Sequence, residues 1–546
     1  MVAALCLASL LVPAASRAAV VADEIHYSFT GPTSVAFDWR GSAGDIRYGP
    51  TAAYGATALA QAPDPTPVSS AGPFWEVELT GLTAGTTYHY SIGGGPAQTF
   101  TTQPTGAFRF DVEADIGDSL DDPQTLPIQQ QIAADHPSFV MVPGDLAYGD
   151  THGLAAVDQH FNDVMAWSQT SAYMPTWGNH DWDPLATDDD LGDFKGRFAM
   201  ENGQTSPGAP AASCCGEDWS WSDIGGVRFI SYPEPYTSAT WPDWGQRADG
   251  LMAEAQADPS IRFIVTYGHR PAYSTGHHVG VPALAAILDG LGERYPKYDV
   301  NFNAHSHDYE RFERIHGVVH ITSGGGGAGI EPPWSTTDPR TAFRAMHLAY
   351  LRVDVTDTSM HIEAVCGPAS TLDDIVCDPG SVIDAVTIGT LVSPPTEFVE
   401  NPGFEVDTSG WNASGGRKVN LQRVSGGHTG SWAALVENGD HHTLRRATFN
   451  DAPNWVTVTA PGAYVMSAWV RSATSSGVVK LRVRELQNGV RVGWKKRKLT
   501  LTTSWQQLAL RYVAKVPGSS TLSLEVRSDL AAQTDFQVDD VSETLG

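Results

Sequence analysis

The first stretch of the chain with a regular hydrophobic pattern runs from about Ala22 to Thr105. Apolar and polar residues alternate there in short runs, such as "TSVAFDWRG" and "FWEVELTGL", which glycine, proline, asparagine and aspartate separate. Alternation with a period of two, broken by frequent turns, is typical of strands that bury one face. Residues 22–105 are therefore predicted to form a β-sandwich that acts as a spacer or as one wall of a site.

The pattern changes at Phe108. From there on, the apolar runs are continuous, and each is followed by a loop that contains acidic residues or histidine. Examples are "FVMVPGDLAYGD" and "RFIVTYGHRPAY", and helix-length segments such as "PALAAILDGLGERY" lie between such runs. Buried strands that alternate with helices predict a layered α/β domain, which we place at residues 106–390. Reactive side chains are expected at the carboxyl ends of its strands.

A second all-β stretch follows the Pro394–Pro395 pair, so residues 391–397 are predicted to be a linker and residues 398–546 a separate module. This module opens with "NPGFEVDTSGW" and closes with "DFQVDDVS". The pairing resembles carbohydrate-binding modules of the galactose-binding jelly-roll type. The resemblance implies a C-terminal β jelly roll, a polysaccharide partner, and a structural calcium ion near Glu405 and Asp540.

Exposed aromatic side chains would carry sugar binding in such a module, with core packing as the alternative for each of them. The candidates are Trp411, Trp455 and Trp494. The basic cluster "WKKRK", residues 494–498, is predicted to be the solvated face of one strand, and contact with an acidic polysaccharide is the alternative.

The amino-terminal residues 1–19 combine an apolar run with small residues and are predicted to be a secretory signal peptide. A buried strand or helix is the alternative. No later run approaches the ~20 apolar residues that span a bilayer, so we expect a secreted protein without a membrane span. Cys366 and Cys377 bracket a short polar loop and are predicted to form a disulfide, which fits export. The adjacent Cys214 and Cys215 are left unassigned.

The net charge of the chain limits the kinds of partner that it can bind. A formal net charge of -28 argues against binding nucleic acid or an anionic membrane through bulk electrostatics. An anionic substrate would need a local positive centre, and metal ions are the obvious candidates.

Five loops of the α/β region carry residue types that bind metals, and each loop follows a strand-like run. The loops read "ADIGD", "GDLAY", "GNHD", "YGHRP" and "AHSHDYER". Each is weak by itself, since such short motifs are usually turns, but their order along the chain is a specific pattern. The candidate residues are Asp115, Asp145, Tyr148, Asn179, His180, His269, His305 and His307.

This order of motifs resembles the metallophosphoesterase (calcineurin-like) superfamily and, within it, the purple acid phosphatases. Gly117 stands where most members carry a ligand histidine, and Tyr148 stands where the purple acid phosphatases place a ligand tyrosine. The resemblance extends over roughly residues 25–390, because a fibronectin type III-like β-sandwich precedes the catalytic domain in that group. It implies that the central domain is a β-sandwich flanked by helices, within a multidomain chain.

The resemblance also implies a binuclear metal centre. Metal one would be bound by Asp115, Asp145, Tyr148 and His307, and metal two by Asp145, Asn179, His269 and His305. A phenolate suits Fe(III), whereas an amide and two imidazoles suit a divalent ion such as Zn, Mn or Fe(II). The implied reaction is hydrolysis of a phosphate monoester by a metal-activated hydroxide that attacks phosphorus.

Histidines near the metals are the expected catalytic groups. His180 would stabilise developing charge or protonate the leaving group, and His277 or His278 would contact the substrate. The loop "SGGGGAGIEPP", residues 323–333, lacks the Lys-Ser/Thr of a P-loop and is predicted to be a flexible loop near the site. The alternatives to a phosphomonoesterase are a phosphodiesterase with the same ligands, and a surface or polysaccharide-binding protein with a secondary hydrolase activity.

Overall fold

The computed structural model describes residues 21–182, 191–209, 216–389, 396–415, 418–439, 446–451, 454–459, 462–473, 477–529 and 535–545. Three predictions lie outside these residues. They concern the signal peptide, the Cys214–Cys215 pair and the Pro394–Pro395 linker.

The amino-terminal domain is a sandwich of a three-stranded sheet, β1-β2-β5, and a four-stranded sheet, β4-β3-β6-β7. The strands are β1 (Asp23–Gly31), β2 (Ser34–Arg40), β3 (Asp45–Gly49), β4 (Ala56–Leu59), β5 (Phe74–Leu79), β6 (Thr87–Ile92) and β7 (Gln98–Thr101). Alternate residues of the two sheets meet in an aromatic core, where Phe37 lies 5.2 Å from Tyr27 and 5.1 Å from Phe100 between ring centroids. The predicted β-sandwich is present, and its fibronectin type III likeness stays a prediction.

The central domain contains two larger sheets, of order β10-β9-β8-β18-β19-β20 and β11-β12-β13-β14-β16-β15-β17. The strands are β8 (Phe108–Val112), β9 (Phe139–Pro143), β10 (Ala172–Thr176), β11 (Trp221–Ile224), β12 (Val227–Ser231), β13 (Phe263–Tyr267), β14 (Tyr298–Asn303), β15 (Tyr309–Phe312), β16 (Val319–Ser323), β17 (Thr341–Ala345), β18 (Ala349–Val355), β19 (Ser359–Cys366) and β20 (Val382–Gly389). The helices are α1 (Thr125–Asp135), α2 (Gly149–His152), α3 (Leu154–Ser168), α4 (Gly192–Lys195), α5 (Thr240–Ala257) and α6 (Pro282–Gly292).

The two central sheets pack face to face through phenylalanine side chains. Phe110 of β8 lies 5.4 Å from Phe229 of β12 and 6.1 Å from Phe302 of β14, measured between ring centroids. Helices α1 and α3 pack on the outer side of the first sheet, and α5 and α6 cover the second. This is the predicted β-sandwich flanked by helices.

Parallel pairing brings the ends of several strands to one edge. Strand β9 pairs in parallel with β8 and β10, and β13 pairs in parallel with β12 and β14. These strands are continuous buried runs, as expected for a sheet covered on both faces. Because the carboxyl ends of parallel strands point the same way, the loops that follow them converge.

The carboxyl-terminal module is a second sandwich. One sheet has the order β23-β24-β31-β26-β29, with β21 also paired to β31, and the other has the order β22-β25-β30-β27-β28. The strands are β21 (Thr396–Glu397), β22 (Trp411–Ser414), β23 (Val419–Ser425), β24 (Trp432–Asn438), β25 (Thr448–Asp451), β26 (Ala463–Ser472), β27 (Gly477–Gln487), β28 (Val490–Leu501), β29 (Gln506–Val513), β30 (Thr521–Ser528) and β31 (Phe536–Leu545).

The three tryptophan candidates of this module differ in exposure. Trp411 is 7% exposed and stacks on Phe449 at 4.7 Å, so it belongs to the core and offers no platform for a sugar. Trp455 is half-buried against Trp411. Trp494 is 46% exposed and is the candidate that remains open to a ligand.

The basic cluster at 494–498 does not form one solvated face, because side chains alternate along β28. Lys495 contacts Glu293 of the central domain at 3.0 Å. Arg497 is half-buried, and burial together with repulsion from Arg294 lowers its pKa. Trp494 and Lys496 point to the opposite face of the sheet, where both are exposed.

Cys366 and Cys377 form the predicted disulfide, with an S–S distance of 2.03 Å. Across the described part of the chain, no helix combines the length and the apolar character needed to cross a bilayer.

Candidate metal centre

The predicted motif residues meet at the converging strand ends. Asp115 follows β8, Asp145 and Tyr148 follow β9, and Asn179 and His180 follow β10. His269 follows β13, and both His305 and His307 follow β14. Their side chains surround or adjoin a pocket of about 310 Å³. The structure therefore brings together residues that are up to 192 positions apart in the sequence.

Glycines allow the loops to approach one another closely. A Cβ atom on Gly178 would lie 2.1 Å from Oδ1 of Asp145, and one on Gly144 would lie 2.7 Å from the backbone nitrogen of Gly178. Asp181 ties the same loops together, because its carboxylate accepts the N–H groups of Leu146 and Gly178. Asp145 itself has a φ of 48°, a strained conformation that is common at functional sites.

The first cluster of donor atoms consists of Asp115, Tyr148 and His307. The Tyr148 hydroxyl lies 3.0 Å from Nε2 of His307 and 3.4 Å from Oδ1 of Asp115. Nδ1 of His307 lies 3.2 Å from the carbonyl oxygen of Gly329 and donates its hydrogen there. The lone pair of Nε2 is therefore directed at the phenol and the carboxylate.

The second cluster consists of Asp145, Asn179, His269 and His305. Nε2 of His269 lies 3.1 Å from Asp145 Oδ2, 3.0 Å from Asn179 Oδ1 and 3.1 Å from His305 Nδ1. Nδ1 of His269 donates to the carbonyl oxygen of Pro143, which leaves a lone pair on Nε2. Several acceptor atoms thus face each other in a buried space.

The electrostatic potential of both clusters is suited to a cation. Burial alone would lower the pKa of His269, but the Asp145 carboxylate raises it to about 9. Asp115 acts in the same way on His307, whose pKa is also raised to about 9. Burial and then the charges of Asp115 and Asp145 raise the pKa of Tyr148 well above its ordinary value, so this phenol ionises only beside a positive charge.

The donor set fits a metal centre. Oδ2 of Asp145 is buried and accepts no hydrogen bond from the described residues, and carboxylate, imidazole, amide and phenol donors surround it. One contact departs from a ligand arrangement. Arg270 donates to Nε2 of His305, which places the ring proton on Nδ1, so ligation through Nδ1 requires Arg270 to move towards its other partner, Glu234.

His180 lies beside the clusters and not within them. Its Nδ1 lies 2.8 Å from Oδ2 of Asp150, and its ring packs on Tyr148 at 4.4 Å between centroids. Burial lowers the pKa of His180, but the hydrogen bond with Asp150 and the charge of Asp145 outweigh burial and raise it overall. A raised pKa favours the protonated form of His180, and a protonated histidine that lines the pocket can donate a proton to a bound substrate.

The two adjacent histidines divide between the pocket and solvent. His278 lines the pocket, stacks on His305 at 3.9 Å, and places its Nε2 atom 3.4 Å from Glu331. His277 is exposed and is not part of the pocket lining.

The glycine-rich segment 323–333 lies beside the pocket, as predicted, and forms one of its walls. Residues 323–327 are buried, and the N–H groups of Gly326 and Ala328 donate to the carbonyl oxygens of Ala114 and Asp115. Its Glu331 lines the pocket, as do the residues that the motif analysis missed on the other side, namely Asp122, Thr151 and His152.

The carboxylates predicted near a structural calcium ion hold one loop of the C-terminal module. Glu405 accepts the N–H groups of Ser431 and Trp432, each at 3.0 Å. Asp540 accepts the Thr429 hydroxyl at 2.7 Å. Calcium binding by Glu405 and Asp540 stays a prediction.

Comparison with known proteins agrees with this geometry. Residues 108–309 match the calcineurin-like phosphoesterase family. Purple acid phosphatase 22 of Arabidopsis thaliana is 28% identical over 309 residues, which cover 52% of this chain and 67% of that protein. Purple acid phosphatase 21 of Arabidopsis thaliana is 29% identical over 274 residues, covering 47% of this chain and 59% of that protein. The structure of purple acid phosphatase PPD1 from yellow lupin (Lupinus luteus) seeds has a TM-score of 0.55 at 18% identity, covering 67% of this chain and 74% of that one.

The central domain is therefore a calcineurin-like phosphoesterase domain, the fold of a class of metal-dependent phosphoric ester hydrolases. The chain is similar to purple acid phosphatases over about half of its length and carries additional β domains at both ends. It spans 50% to 67% of the length of the curated relatives it matches.

Proposed function

We propose that this protein is a secreted phosphatase that hydrolyses phosphate monoesters with a binuclear metal centre. The observation that carries the proposal is the convergence of seven potential ligand residues from five loops in a buried space of negative potential. Bound cations would balance the carboxylates that are buried there.

Two ions would divide these residues between them, and Asp145 would be a ligand of both. Asp115, Tyr148 and His307 would complete metal one, for which the phenolate favours Fe(III). Asn179, His269 and His305 would complete metal two, a divalent ion such as Zn, Mn or Fe(II). Bound metal ions would supply positive charge for the ester oxygens and an activated water as nucleophile.

The side chains around the pocket supply the remaining steps. His180, held by Asp150, would donate a proton to the leaving oxygen. His278 also lines the pocket and would hydrogen-bond a phosphate oxygen. Asp181 and the glycine-rich wall fix the loops, so that these groups need little rearrangement when a substrate binds.

Export and glycan binding are the other parts of the proposal. The Cys366–Cys377 disulfide supports an oxidising compartment. The C-terminal sandwich would hold the enzyme on a polysaccharide, and Trp494 is its exposed aromatic candidate.

The test compares a chromogenic phosphate monoester with the matching diester, using the full chain. We expect faster turnover of the monoester. The Asn179→Ala variant should lose metal and rate together, whereas Asn162→Ala, a change on α3 outside the site, should preserve both. Faster diester turnover would overturn the monoester assignment, and equal loss in the two variants would overturn the role of Asn179.

A further inference from the structure

The outward face of β27, β28 and β30 in the C-terminal module carries a concentration of positive charge. We call the set formed by Lys480, Arg482, Trp494, Lys496, Lys498 and Arg527 the basic face. These side chains alternate with residues that enter the core, such as Val479 and Leu481, so they share one surface of the sheet. With Arg446 and Arg491, most of them line a depression of about 160 Å³.

The strand register places like charges directly opposite each other. Lys480 pairs with Lys498 on one side and with Arg527 on the other, and Arg482 pairs with Lys496. Like charges in directly opposed positions destabilise a sheet. A set of such pairs therefore indicates that an anion offsets the repulsion.

The carboxylates of the module offset only part of this charge. Glu525 contacts Arg482, Arg484 and Arg527, and Asp529 lies within 4.0 Å of Lys480 and Lys498. Within the described residues, no ion pair involves Arg491 or Lys496. This excess of cations lies in a chain whose net charge is -28, so it is a local departure from the charge of the whole protein.

An aromatic ring lies in the middle of the cations. Trp494 is 46% exposed, and Nζ of Lys496 lies 5.2 Å from its ring centroid. A flat apolar ring flanked by cations complements a sugar ring that bears an acidic group. Proteins that bind single-stranded nucleic acid stack successive bases on several aromatic side chains, whereas the basic face offers one.

We propose that the basic face binds an acidic polysaccharide, with Trp494 stacked on a sugar ring and the lysines and arginines paired with its carboxylate or sulfate groups. This inference rests on the polysaccharide-binding part of the proposed function and adds the ligand class and the site. The central domain would then act on substrates at an anionic matrix.

The test measures retention of the full chain by polygalacturonate, by neutral xylan and by single-stranded DNA of matched charge. We expect polygalacturonate to bind best and its affinity to fall with salt. The Arg491→Gln/Lys496→Gln double variant and Trp494→Ala should each weaken binding about tenfold. Lys495→Gln is the matched control, since it removes the neighbouring charge that faces Glu293, and it should bind like the unmodified protein. Turnover of a small soluble phosphate ester should be the same in all variants.

The outcomes separate this inference from the function on which it rests. Binding to xylan but not polygalacturonate would overturn the acidic ligand and preserve the polysaccharide proposal. Binding to none of the polymers would overturn both. Tighter binding to DNA than to polygalacturonate, or equal losses for Lys495→Gln and the double variant, would overturn the acidic-polysaccharide assignment.

Discussion

Nδ1 of His180 lies 2.8 Å from a carboxylate oxygen of Asp150, while the backbone N–H of the same histidine donates to Asp145. The first contact sets the protonation of the imidazole, and the second fixes the backbone beside a proposed bridging ligand. His180→Ala should retain metal and reduce kcat about 10²–10⁴-fold, with smaller losses for esters that have good leaving groups. Loss of a metal ion, or equal slowing of all esters, would make His180 a structural residue.

Asp150→Asn tests whether Asp150 raises the pKa of His180. The hydrogen bond with Asp150 helps to raise the pKa of His180, so its loss should lower that pKa. The alkaline limb of the kcat/KM profile should then move to lower pH. Asp121→Asn, at another acid that pairs with a histidine, is the control and should leave the limb in place. If the alkaline limb of the Asp150→Asn variant stayed at the same pH, a group other than His180 would determine it.

Tyr148 determines the expected identity of metal one. Tyr148→Phe removes the phenol oxygen that lies 3.0 Å from His307, so iron content should fall and any visible absorption of the oxidised protein should disappear. Tyr236→Phe is a matched control, because that hydroxyl is buried without a hydrogen-bond partner among the described residues. Unchanged iron and colour in Tyr148→Phe would rule out the phenolate ligand.

Gly178→Ala tests the close approach of the loops. The added methyl would meet Oδ1 of Asp145 at 2.1 Å and displace the carboxylate, so metal occupancy and activity should both fall by more than tenfold. Gly250→Ala, in α5 with no atom within 4 Å of the new Cβ, should instead stabilise the protein by about 0.5–1 kcal/mol. Full occupancy in Gly178→Ala, measured by elemental analysis, would contradict this geometry.

Buried acids of the C-terminal module predict a dependence of stability on pH. Burial raises the pKa of Asp451 from 3.8 to about 7. Burial, together with the negative charge of Asp451, raises the pKa of Glu543 well above 4.5. The folded state therefore holds protons that the unfolded state releases, and the resulting stability is complete below pH 3.8 and is lost as the pH rises through about 7. Thermal unfolding should occur at lower temperature at pH 8 than at pH 5.

Glu543→Gln should flatten that dependence, since one of the two acids no longer ionises. Glu437→Gln, on the neighbouring strand β24 and partly exposed, should preserve the slope of the unmodified protein. A protein that is more stable at pH 8 than at pH 5 would contradict the predicted sign.

The convergence of the motif residues could be expected from the sequence, because each one follows a strand in a short local motif. Asp115, Asn179 and His269 belong to separate strand ends, and the parallel order of the strands is sufficient to expect that they meet. Asp150, Arg270 and Glu331 have no such signal. The path of a loop or the conformation of a side chain brings them to the site. Neither of these features produces a periodic pattern in the sequence.

The same distinction holds for the fold. Alternating residues predicted the two terminal sandwiches, but not the antiparallel pairing of β18 with β8 across more than 200 residues of chain. The "WKKRK" run shows the limit at the level of one strand. Its charges suggested one solvated surface, whereas the pleat sends Lys495 to Glu293 and Lys496 to the basic face.

The most direct test of the central claim is elemental analysis of the purified full chain, combined with turnover of a phosphate monoester before and after chelation. The purified protein should contain about two metal ions per chain, at least one of them iron, with activity lost on chelation and recovered when iron and a divalent ion are restored. A folded protein that hydrolyses the ester equally well after complete metal removal, or that binds a single ion at full activity, would contradict the central claim.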